Sequence, residues 1–379
     1  MNAFDSSWVS FTDKRIVMEQ RSPRPSRLRP YFRKKFLVYA GVPLAVLAGL
    51  FAMREYHPMA SITVFTFEGY LTPELKAKFQ HEHHVRVIER TFPSNQDMMA
   101  HLKVSWGEYD VVTASNYVMN DLRRRKLVRR LDHKQLPNLR HLDPLLHKYF
   151  KEDYMAYAVP YAWTSLSIAY REGAVPNPPQ TWQEFFSGPN GLSLPTAVLS
   201  EKRETMGVAL VSLGYEPGTT TPAELTELRK LLLSFKDRGV IFSPSPIDEV
   251  LEGRATLCLD WTSNILRGMH QDPKIRHIVP GGATLLVLDN LVIPTSSRHP
   301  KLAEKFVNFL LRPDIAGEHA ADSYFLTTVA SAYPVLPAEL RDMIKAAFAE
   351  GRLVPLVGFG GNEERAYDVL WAEFNRHHD

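Results

Sequence analysis

Apolar and polar residues alternate between residues 61 and 115 in the way expected of strands separated by helices. Three short apolar runs predict strands, at 62–67, 85–92 and 109–115. Thr72 followed by Pro73 is typical of a helix start, and further helices are predicted from Ser94 and from Asn116. This β-α-β-α-β order predicts a parallel sheet covered by helices.

A second alternation of the same kind follows from residue 157 onward. Strands are predicted at 157–170, 192–195, 255–261, 275–280 and 285–294. Helices are predicted at 203–213, 222–238, 262–270, 297–312, 337–349 and 362–376. The pattern therefore predicts two α/β lobes. Ligands of open α/β sheets bind outside the carboxyl ends of the strands, so functional residues are expected after Phe65, after Thr113 and around Trp261.

The predicted strand 285–294, LLVLDNLVIP, contains Asp289 in an otherwise apolar run that is broken only by Asn290. A charge on a buried strand costs several kcal/mol unless another group pairs with it. Two explanations are open at this point. Either Asp289 lies at a strand end, where it reaches water or caps a turn, or a cation binds to it.

Residues 36–53, FLVYAGVPLAVLAGLFAM, carry no charge over eighteen positions. A helix of this length spans about 27 Å, which is sufficient for the hydrocarbon core of a bilayer. Arginine and lysine are concentrated in the tail 1–35, so this basic tail is predicted to be cytoplasmic. The apolar segment is either part of a cleaved signal peptide or an uncleaved transmembrane anchor, and the poor cleavage sites after it favour the anchor.

Charge is distributed unevenly along the 379 residues. The net charge is +3, but residues 1–36 carry +6, so the rest of the chain carries −3. The basic isoelectric point therefore comes from the tail and does not indicate a nucleic-acid-binding domain. The single cysteine, Cys258, excludes an intrachain disulfide.

Motifs of common catalytic and cofactor sites are missing from the sequence. No GxGxxG, GxSxG or HExxH occurs, and GFGG at 358–361 is not a phosphate-binding loop. The histidine-rich run 81–84 and the basic run 123–126 are interpreted as a solvated turn and a helix C-terminus. The sequence therefore predicts no catalytic residue, no metal site and no cofactor, and we do not expect an enzyme.

Aromatic and acidic residues instead collect at the predicted strand ends. They are Phe67, Glu68, Tyr70, Ser115, Tyr117, Glu201, Glu204, Asp260 and Trp261, and Asp289 stands within the predicted strand 285–294. Carboxylates bind ammonium groups through charge-assisted hydrogen bonds, and aromatic faces cover methylene chains and attract cations. This combination suits a flexible organic cation.

Several stretches of the chain resemble bacterial extracellular solute-binding proteins of the spermidine/putrescine-binding group. They are VFTFEGYLTPELKAKF, SNQDMMAHLK, YDVVTASNYVMNDL, YAVPYAWTSLSIAY, LEGRATLCLDW, LVLDNLVIP and KFVNFLLRPDIA. The resemblance covers residues 61 to 335 and implies a periplasmic-binding-protein type II fold of two lobes joined by crossing strands. It implies lobe 1 at 61–163 plus 290–335, and lobe 2 at 164–289 plus 336–379.

The resemblance also implies which residues bind the ligand. The family's residues match Phe67, Tyr70, Ser115, Tyr117, Glu201, Glu204, Trp261 and Asp289, and Glu68 stands beside them. Three departures concern the aromatic residues. Phe67 and Val287 stand where the family has tryptophan, and a later tyrosine falls at Tyr324 or Phe325. The family's C-terminal glutamine is lost near Gly360. The acids are thus kept while the aromatic cage is thinner.

These features predict a periplasm-facing binding protein that delivers a polyamine or a similar cation to an ABC importer by closing its cleft. The partners implied are the transporter permease and the inner membrane, through residues 36–53. The alternative is a membrane-anchored receptor module that senses the ligand and has no role in transport. In both cases Asp289 is expected to face the cleft and pair with a ligand ammonium.

Overall fold

The computed structural model describes residues 60–149, 153–188, 194–348, 353–358 and 361–376. In these ranges the strands are β1 (Ser61–Phe67), β2 (Arg86–Phe92), β3 (Val111–Ser115), β4 (Val159–Arg171), β5 (Thr196–Leu199), β6 (Val240–Ser243), β7 (Leu257–Trp261), β8 (Ile275–Ile278), β9 (Thr284–Val292), β10 (Leu326–Thr327) and β11 (Leu353–Pro355). The helices are α1 (Pro73–His83), α2 (Asn95–Val104), α3 (Met119–Arg124), α4 (Trp182–Ser187), α5 (Lys202–Ser212), α6 (Pro222–Lys236), α7 (Pro246–Leu251), α8 (Thr262–Gln271), α9 (Pro300–Leu310), α10 (Pro313–Ser323), α11 (Ala338–Ala347) and α12 (Gly361–Phe374).

Side-chain caps fix the first two helices at the predicted positions. The Thr72 hydroxyl accepts a hydrogen bond of 3.2 Å from the backbone N–H of Leu75, and the following proline occupies the first turn of α1. The Ser94 hydroxyl accepts in the same way from the N–H of Asp97 at the start of α2. Both predicted helix starts are confirmed. Each helix returns the chain to the other edge of the sheet, which makes β1, β2 and β3 parallel.

Two long antiparallel strands, β4 and β9, connect the two domains. In the first domain, β9 pairs with β3 through its last residues, and β1 and β2 follow outward. In the second domain, β4 pairs with β7 and β8 through its last residues, and β5 and β6 follow. Between these regions β4 and β9 pair with each other from residue 159 to residue 165. The two-lobed α/β fold predicted from the sequence is confirmed in this architecture.

Each domain has its own apolar core. In the first domain Phe79 of α1 packs against Phe306 and Phe309 of α9. In the second domain Phe186 and Phe235 pack together beneath the sheet. Separate cores allow each domain to keep its shape while the connecting strands flex.

Several elements differ from the sequence-based prediction. The strand predicted at 192–195 begins only at Thr196, because its pairing partner Leu257 on β7 fixes the register there. The helix predicted to end at Arg312 is followed at once by α10, since Pro313 cannot continue a helix but suits the first position of a new one. The short elements α4, α7 and β6 have too few residues for a clear apolar period and were not predicted.

Asp260, near the end of β7, serves the fold of the second domain. It is fully buried, and its Oδ2 accepts a hydrogen bond of 2.8 Å from the N–H of Ile247 in the first turn of α7. Its Oδ1 accepts from the N–H of Trp261 at 2.6 Å and from Nδ2 of Asn264 at 2.9 Å. Burial raises the pKa of Asp260 to about 7 in spite of these donors. This carboxyl therefore joins β7 to the starts of α7 and α8.

The described part of the chain has no helix with the length and apolar character that crossing a bilayer requires. The basic tail 1–35 and the apolar segment 36–53 lie outside the described residues.

We expect Asp260→Ala to lower the free energy of unfolding by about 2–4 kcal/mol, because it leaves buried N–H donors without an acceptor. Asp260→Asn keeps one carbonyl acceptor and is expected to cost less. Urea denaturation followed by circular dichroism measures both. Glu252→Ala is the control, since Glu252 pairs with Arg254 at the exposed surface, where an ion pair contributes little to stability. Equal losses for Asp260→Ala and Glu252→Ala would contradict the structural role of Asp260.

Candidate ligand-binding site

The carboxyl ends of strands from both domains meet around the middle of β4 and β9. In the first domain, β1 and β3 end at Phe67 and Ser115. In the second domain, β7 ends at Trp261, whose partner on β4 is Leu166, near the middle of that strand. β5 ends shortly before Glu201, the N-cap residue of α5. The predicted site therefore lies where two sets of strand ends face each other.

Asp289 lies at the centre of this region, on β9 between β3 and β4. Its partners on the neighbouring strands are Ser115 and Ala162. The Ser115 hydroxyl donates a hydrogen bond of 2.6 Å to Oδ1 of Asp289, and the Tyr70 hydroxyl donates to Oδ2. Opposed residues in a sheet are close neighbours, so the strand register alone brings Ser115 to Asp289. Tyr70 reaches the carboxyl from the turn after β1.

Asn95, in the first turn of α2, orients these donors. Its amide oxygen accepts a hydrogen bond of 3.1 Å from the N–H of Ser115. Its Nδ2 donates to the hydroxyls of Ser115 at 2.9 Å and Tyr117 at 2.8 Å. Because the Ser115 oxygen accepts this bond, its own hydrogen is directed to Asp289. We call Tyr70, Asn95, Ser115, Tyr117 and Asp289 the Asp289 network.

The Asp289 carboxyl is buried, with only 4% of the residue exposed. Burial raises its pKa, and the hydrogen bonds from Ser115 and Tyr70 offset this only in part. The explanation that Asp289 reaches water at a strand end is wrong, because Asp289 lies within β9. An ionised carboxylate accepts up to about four hydrogen bonds, so two hydroxyl donors leave capacity for a cationic donor.

Aromatic rings surround the Tyr70 side of the network. The centroid of the Tyr70 ring is 4.2 Å from that of Phe325 and 5.4 Å from that of Phe67. Behind them His319 stacks against the rings of Phe325 and Tyr161. Burial lowers the pKa of His319 to about 4, so this imidazole is neutral at physiological pH. The wall is therefore uncharged and suits the methylene chain of a ligand.

Two glutamates approach the network from the second domain. Glu204, in the first turn of α5, is buried, and burial raises its pKa. Part of Glu201 is exposed to solvent, but protein atoms pack around its carboxyl. The loss of water around the carboxyl, together with the charge of Glu204, raises the pKa of Glu201 to about 7. Burial also raises the pKa of Tyr117, followed by the charge of Glu204 and, more weakly, by Asp289. The charges of Glu204 and Asp289 thus both act on the Tyr117 hydroxyl.

Arg203 lies beside these acids. Its guanidinium carbon is 4.9 Å from the centroid of the Tyr117 ring. It donates a hydrogen bond of 3.4 Å to the carbonyl of Val357 and lies 3.7 Å from the Glu364 carboxylate. The charge of Arg203 also lowers the pKa of Glu204, against the larger effect of burial. Arg203 therefore ties the C-terminal segment to the Tyr117 end of the site.

The structure brings together most of the residues predicted from the sequence. Those in direct or ring contact with the network are Phe67, Tyr70, Ser115, Tyr117, Asp289 and Phe325. Phe325, rather than Tyr324, contacts Tyr70, since Tyr324 caps α10 and faces His270. Trp261 is half-buried at the edge of the second core, where Tyr117 also packs. Glu68 is exposed on the turn after β1 and lies outside the hydrogen-bonded network.

Sequence reasoning missed Asn95, Arg203 and His319. Asn95 directly follows the helix-capping Ser94, where a polar residue is ordinary and gives no signal of its own. Arg203 lies between two acids in EKRE, which is a common surface pattern. His319 lies in an apolar helix, where an isolated histidine in the sequence GEHAAD was a detectable but ambiguous sign. Among the described residues, no three His, Cys, Asp or Glu side chains are grouped as a metal ion requires.

Two α/β domains joined by crossing strands, with polar side chains at the facing strand ends, are an architecture suited to binding a solute. The family model of the bacterial extracellular solute-binding protein matches residues 74–347, and the chain belongs to this family. The sequence-based resemblance to the spermidine/putrescine-binding group is confirmed by the similar proteins. These relatives are described as binding proteins.

Similar proteins come from several bacteria. The spermidine/putrescine-binding periplasmic protein of Salmonella typhimurium is 29% identical over 306 residues, which cover 78% of this chain and 86% of that protein. The putrescine/cadaverine-binding protein of Pseudomonas aeruginosa is 24% identical and covers 82% and 92%. Among solved structures, the spermidine/putrescine ABC transporter substrate-binding protein of Streptococcus pneumoniae has a TM-score of 0.75 at 22% identity, covering 83% of this chain and 98% of that chain.

The raised pKa of Glu201 predicts a pH-dependent contribution to stability. Between about 4.5 in the unfolded chain and about 7 in the folded protein, the folded state binds more protons, so this contribution falls as pH rises. Glu201→Gln should therefore gain stability relative to wild type from pH 4 to pH 8, by less than about 1 kcal/mol because solvent screens this carboxyl. Urea denaturation at each pH measures the difference. Glu224→Gln on α6 is the control, and an equal pH trend for both variants would contradict the assignment.

Proposed function

We propose that the protein is a periplasm-facing solute-binding protein for a polyamine or a similar organic cation. The observation that carries the proposal is the Asp289 network, in which a buried carboxylate has hydroxyl donors but no cation among the described residues. A ligand ammonium would supply the missing positive charge through a charge-assisted hydrogen bond. Relatives described as spermidine/putrescine- and putrescine/cadaverine-binding support this ligand class.

The arrangement of acids and rings suggests how such a ligand would lie. One ammonium would bind Asp289, and a second would bind near Glu204 and Glu201 at the other side of Tyr117. The methylenes between them would contact Phe67 and Phe325, with Trp261 contributing from the second domain. We assign Glu68 a minor role at the rim, because it is exposed. Since Val287 packs into the second core in place of a tryptophan, the cage has one ring fewer.

Binding would couple to closure of the two domains, taken as residues 61–163 plus 290–335 and residues 164–289 plus 336–379. Asp289 is the boundary residue of the second range, but its carboxyl is hydrogen-bonded to Ser115 and Tyr70 of the first domain and is counted with that domain. Uncompensated acids on facing surfaces repel each other, and this repulsion opposes close approach of the domains. A cation that contacts acids of both domains removes the repulsion and favours the closed state over the open one. Closure would then present the loaded protein to the permease of an ABC importer, the partner implied by the transporter-associated relatives.

A second candidate function is that of a membrane-anchored receptor module that senses the ligand and does not take part in transport. The apolar segment 36–53 and the basic tail before it favour this candidate, because an uncleaved anchor keeps the protein at the inner membrane. Both candidates share the same ligand site. They differ in whether closure is detected by a permease or by a signalling partner.

Ligand binding is expected to raise the melting temperature, because a ligand that binds only the native state stabilises it. Putrescine and spermidine should do so, whereas succinate, a dicarboxylate of similar length to putrescine, should not. Asp289→Asn should weaken amine binding by about 2 kcal/mol or more, roughly thirtyfold, since it removes a buried partner of the ammonium. Isothermal titration calorimetry measures the affinity. Glu68→Gln is the matched control and should change it by less than about threefold. Equal effects of the two variants, or stabilisation by succinate alone, would refute the proposed ligand class.

An uncleaved anchor predicts that the full chain resists alkaline extraction from membranes and that mass spectrometry finds its N-terminus before residue 36. Leu44→Arg combined with Leu47→Arg should release the protein, because each arginine in a membrane-spanning helix costs about 2.5–3.5 kcal/mol. The conservative pair Leu44→Ile and Leu47→Ile should leave it membrane-bound. A wild-type protein that is soluble and begins after residue 53 would show cleavage and favour the importer role.

A further inference from the structure

We infer that the surface at the amino-terminal edge of the first domain's sheet rests on an anionic lipid membrane. We define this basal surface by Val104 and Trp106 with the cations Lys103, Arg125, Lys126 and Arg298. The inference rests on the proposed function in one respect, because the membrane anchor 36–53 supplies the tether. The surface itself is taken from the structure.

Two large apolar side chains stand exposed at this edge. Val104 is the last residue of α2 and is 80% exposed, and Trp106 in the following turn is 78% exposed. Among the described residues no other tryptophan is so accessible, since Trp163 and Trp182 are buried. Tryptophan favours the interface between lipid headgroups and acyl chains. An exposed pair of this kind is typical of an interaction site.

Backbone and side-chain contacts join this pair to the start of β1. The turn that carries Trp106 packs against the side chain of Arg298, because a Cβ at Gly107 would lie 2.8 Å from its Nε. Asp110 accepts hydrogen bonds from the N–H of Thr63 at 3.0 Å and from the Ser297 hydroxyl at 2.7 Å. Thr63 lies two residues after the start of β1. The point where the chain enters the domain is therefore next to the basal surface.

The basic run that the ligand site leaves unused lies at the same edge. The Thr295 hydroxyl donates a hydrogen bond of 2.9 Å to the carbonyl of Lys126, and the Thr295 N–H donates to the carbonyl of Leu127. Because Thr295 precedes Arg298 by three residues, Arg298 is a neighbour of Arg125 and Lys126. Arg125, Lys126, Lys103 and Arg298 are all exposed. Cations within about 10 Å of an anionic bilayer are attracted to it.

Chain length limits how far this surface can lie from a bilayer. Only residues 54–60 separate the apolar segment from Ser61, and seven residues span at most about 25 Å. With segment 36–53 in the membrane, the start of β1 is held close to the lipid headgroups. A short tether raises the effective concentration of the surface at the bilayer, so weak contacts suffice for docking.

This orientation has a consequence for ligand entry. Phe67 and Ser115 lie at the carboxyl ends of β1 and β3, whereas the basal surface lies at the amino ends. A domain docked by its basal surface therefore directs the ligand site away from the bilayer. The cleft remains accessible to solutes while the protein is held at the membrane.

The test uses the full chain reconstituted in vesicles of equal parts phosphatidylcholine and phosphatidylglycerol. A bimane probe is attached to Val104→Cys or, as the matched control, to Val369→Cys, an exposed valine on α12 of the second domain. The native Cys258 is buried and stays unlabelled. Brominated phosphatidylcholine should quench the probe at residue 104 and leave the probe at residue 369 unchanged. Quenching should weaken in high salt and in vesicles of phosphatidylcholine alone.

Charge variants test the role of the cations. Arg125→Glu with Arg298→Glu should lower the docking equilibrium constant measured at residue 104 by roughly fivefold or more per cation, whereas Lys230→Glu on α6 should not. Putrescine titration on the same vesicles reports ligand binding independently. Two results would refute the membrane surface while leaving the proposed ligand site unaffected. In both, amine binding is intact; in the first the probe at residue 104 is not quenched, and in the second its quenching changes neither with salt nor with charge reversal. Protection of residue 104 through dimerisation in lipid-free detergent would likewise refute it in favour of a second copy of the chain.

Discussion

The rest of the site depends on one constraint, the burial of the Asp289 carboxylate on a strand that passes through both domains. A charge in this position is tolerated because Ser115 and Tyr70 donate hydroxyl hydrogens to it and Asn95 orients Ser115. These donors come from β3, from the turn after β1 and from α2. Three segments of the first domain therefore have to be in register before the carboxylate is accommodated. A polar network of this kind specifies one arrangement of its members.

The same carboxylate links the fold to the proposed chemistry. Hydroxyl donors stabilise a negative charge without neutralising it, so a ligand cation would find at Asp289 a carboxyl that no cation among the described residues pairs with. The second domain presents Glu204 and Glu201, whose raised pKa values show that they too lack sufficient compensation. Carboxyls without cations are unfavourable for stability, and such sites are common where binding supplies the missing charge. A cation that contacts both Asp289 and the two glutamates would stabilise the protein most when the domains approach each other.

The first domain has polar features at both ends of its sheet, with opposite charge. Acids collect at the carboxyl edge near Asp289, while exposed cations and Trp106 collect at the amino edge. Parallel strands make this separation possible, because every helix returns the chain to the amino edge before the next strand begins. The proposed binding of a small cation and the inferred contact with an anionic surface would therefore use different residues and could be altered independently.

The sequence by itself determined the α/β alternation, the two lobes, the helix starts at Thr72 and Ser94, and the anomaly of Asp289, because apolar period and capping chemistry are local properties. It could not determine which acids and donors meet. Asp260 and Asp289 are both acids in apolar, strand-like stretches of the sequence, yet only strand register and helix packing made the first an acceptor for the start of α7 and the second the centre of the candidate site. The choice between Tyr324 and Phe325 was likewise decided by the turn after α10. Such contacts join residues far apart in the chain, and only tertiary structure brings them together.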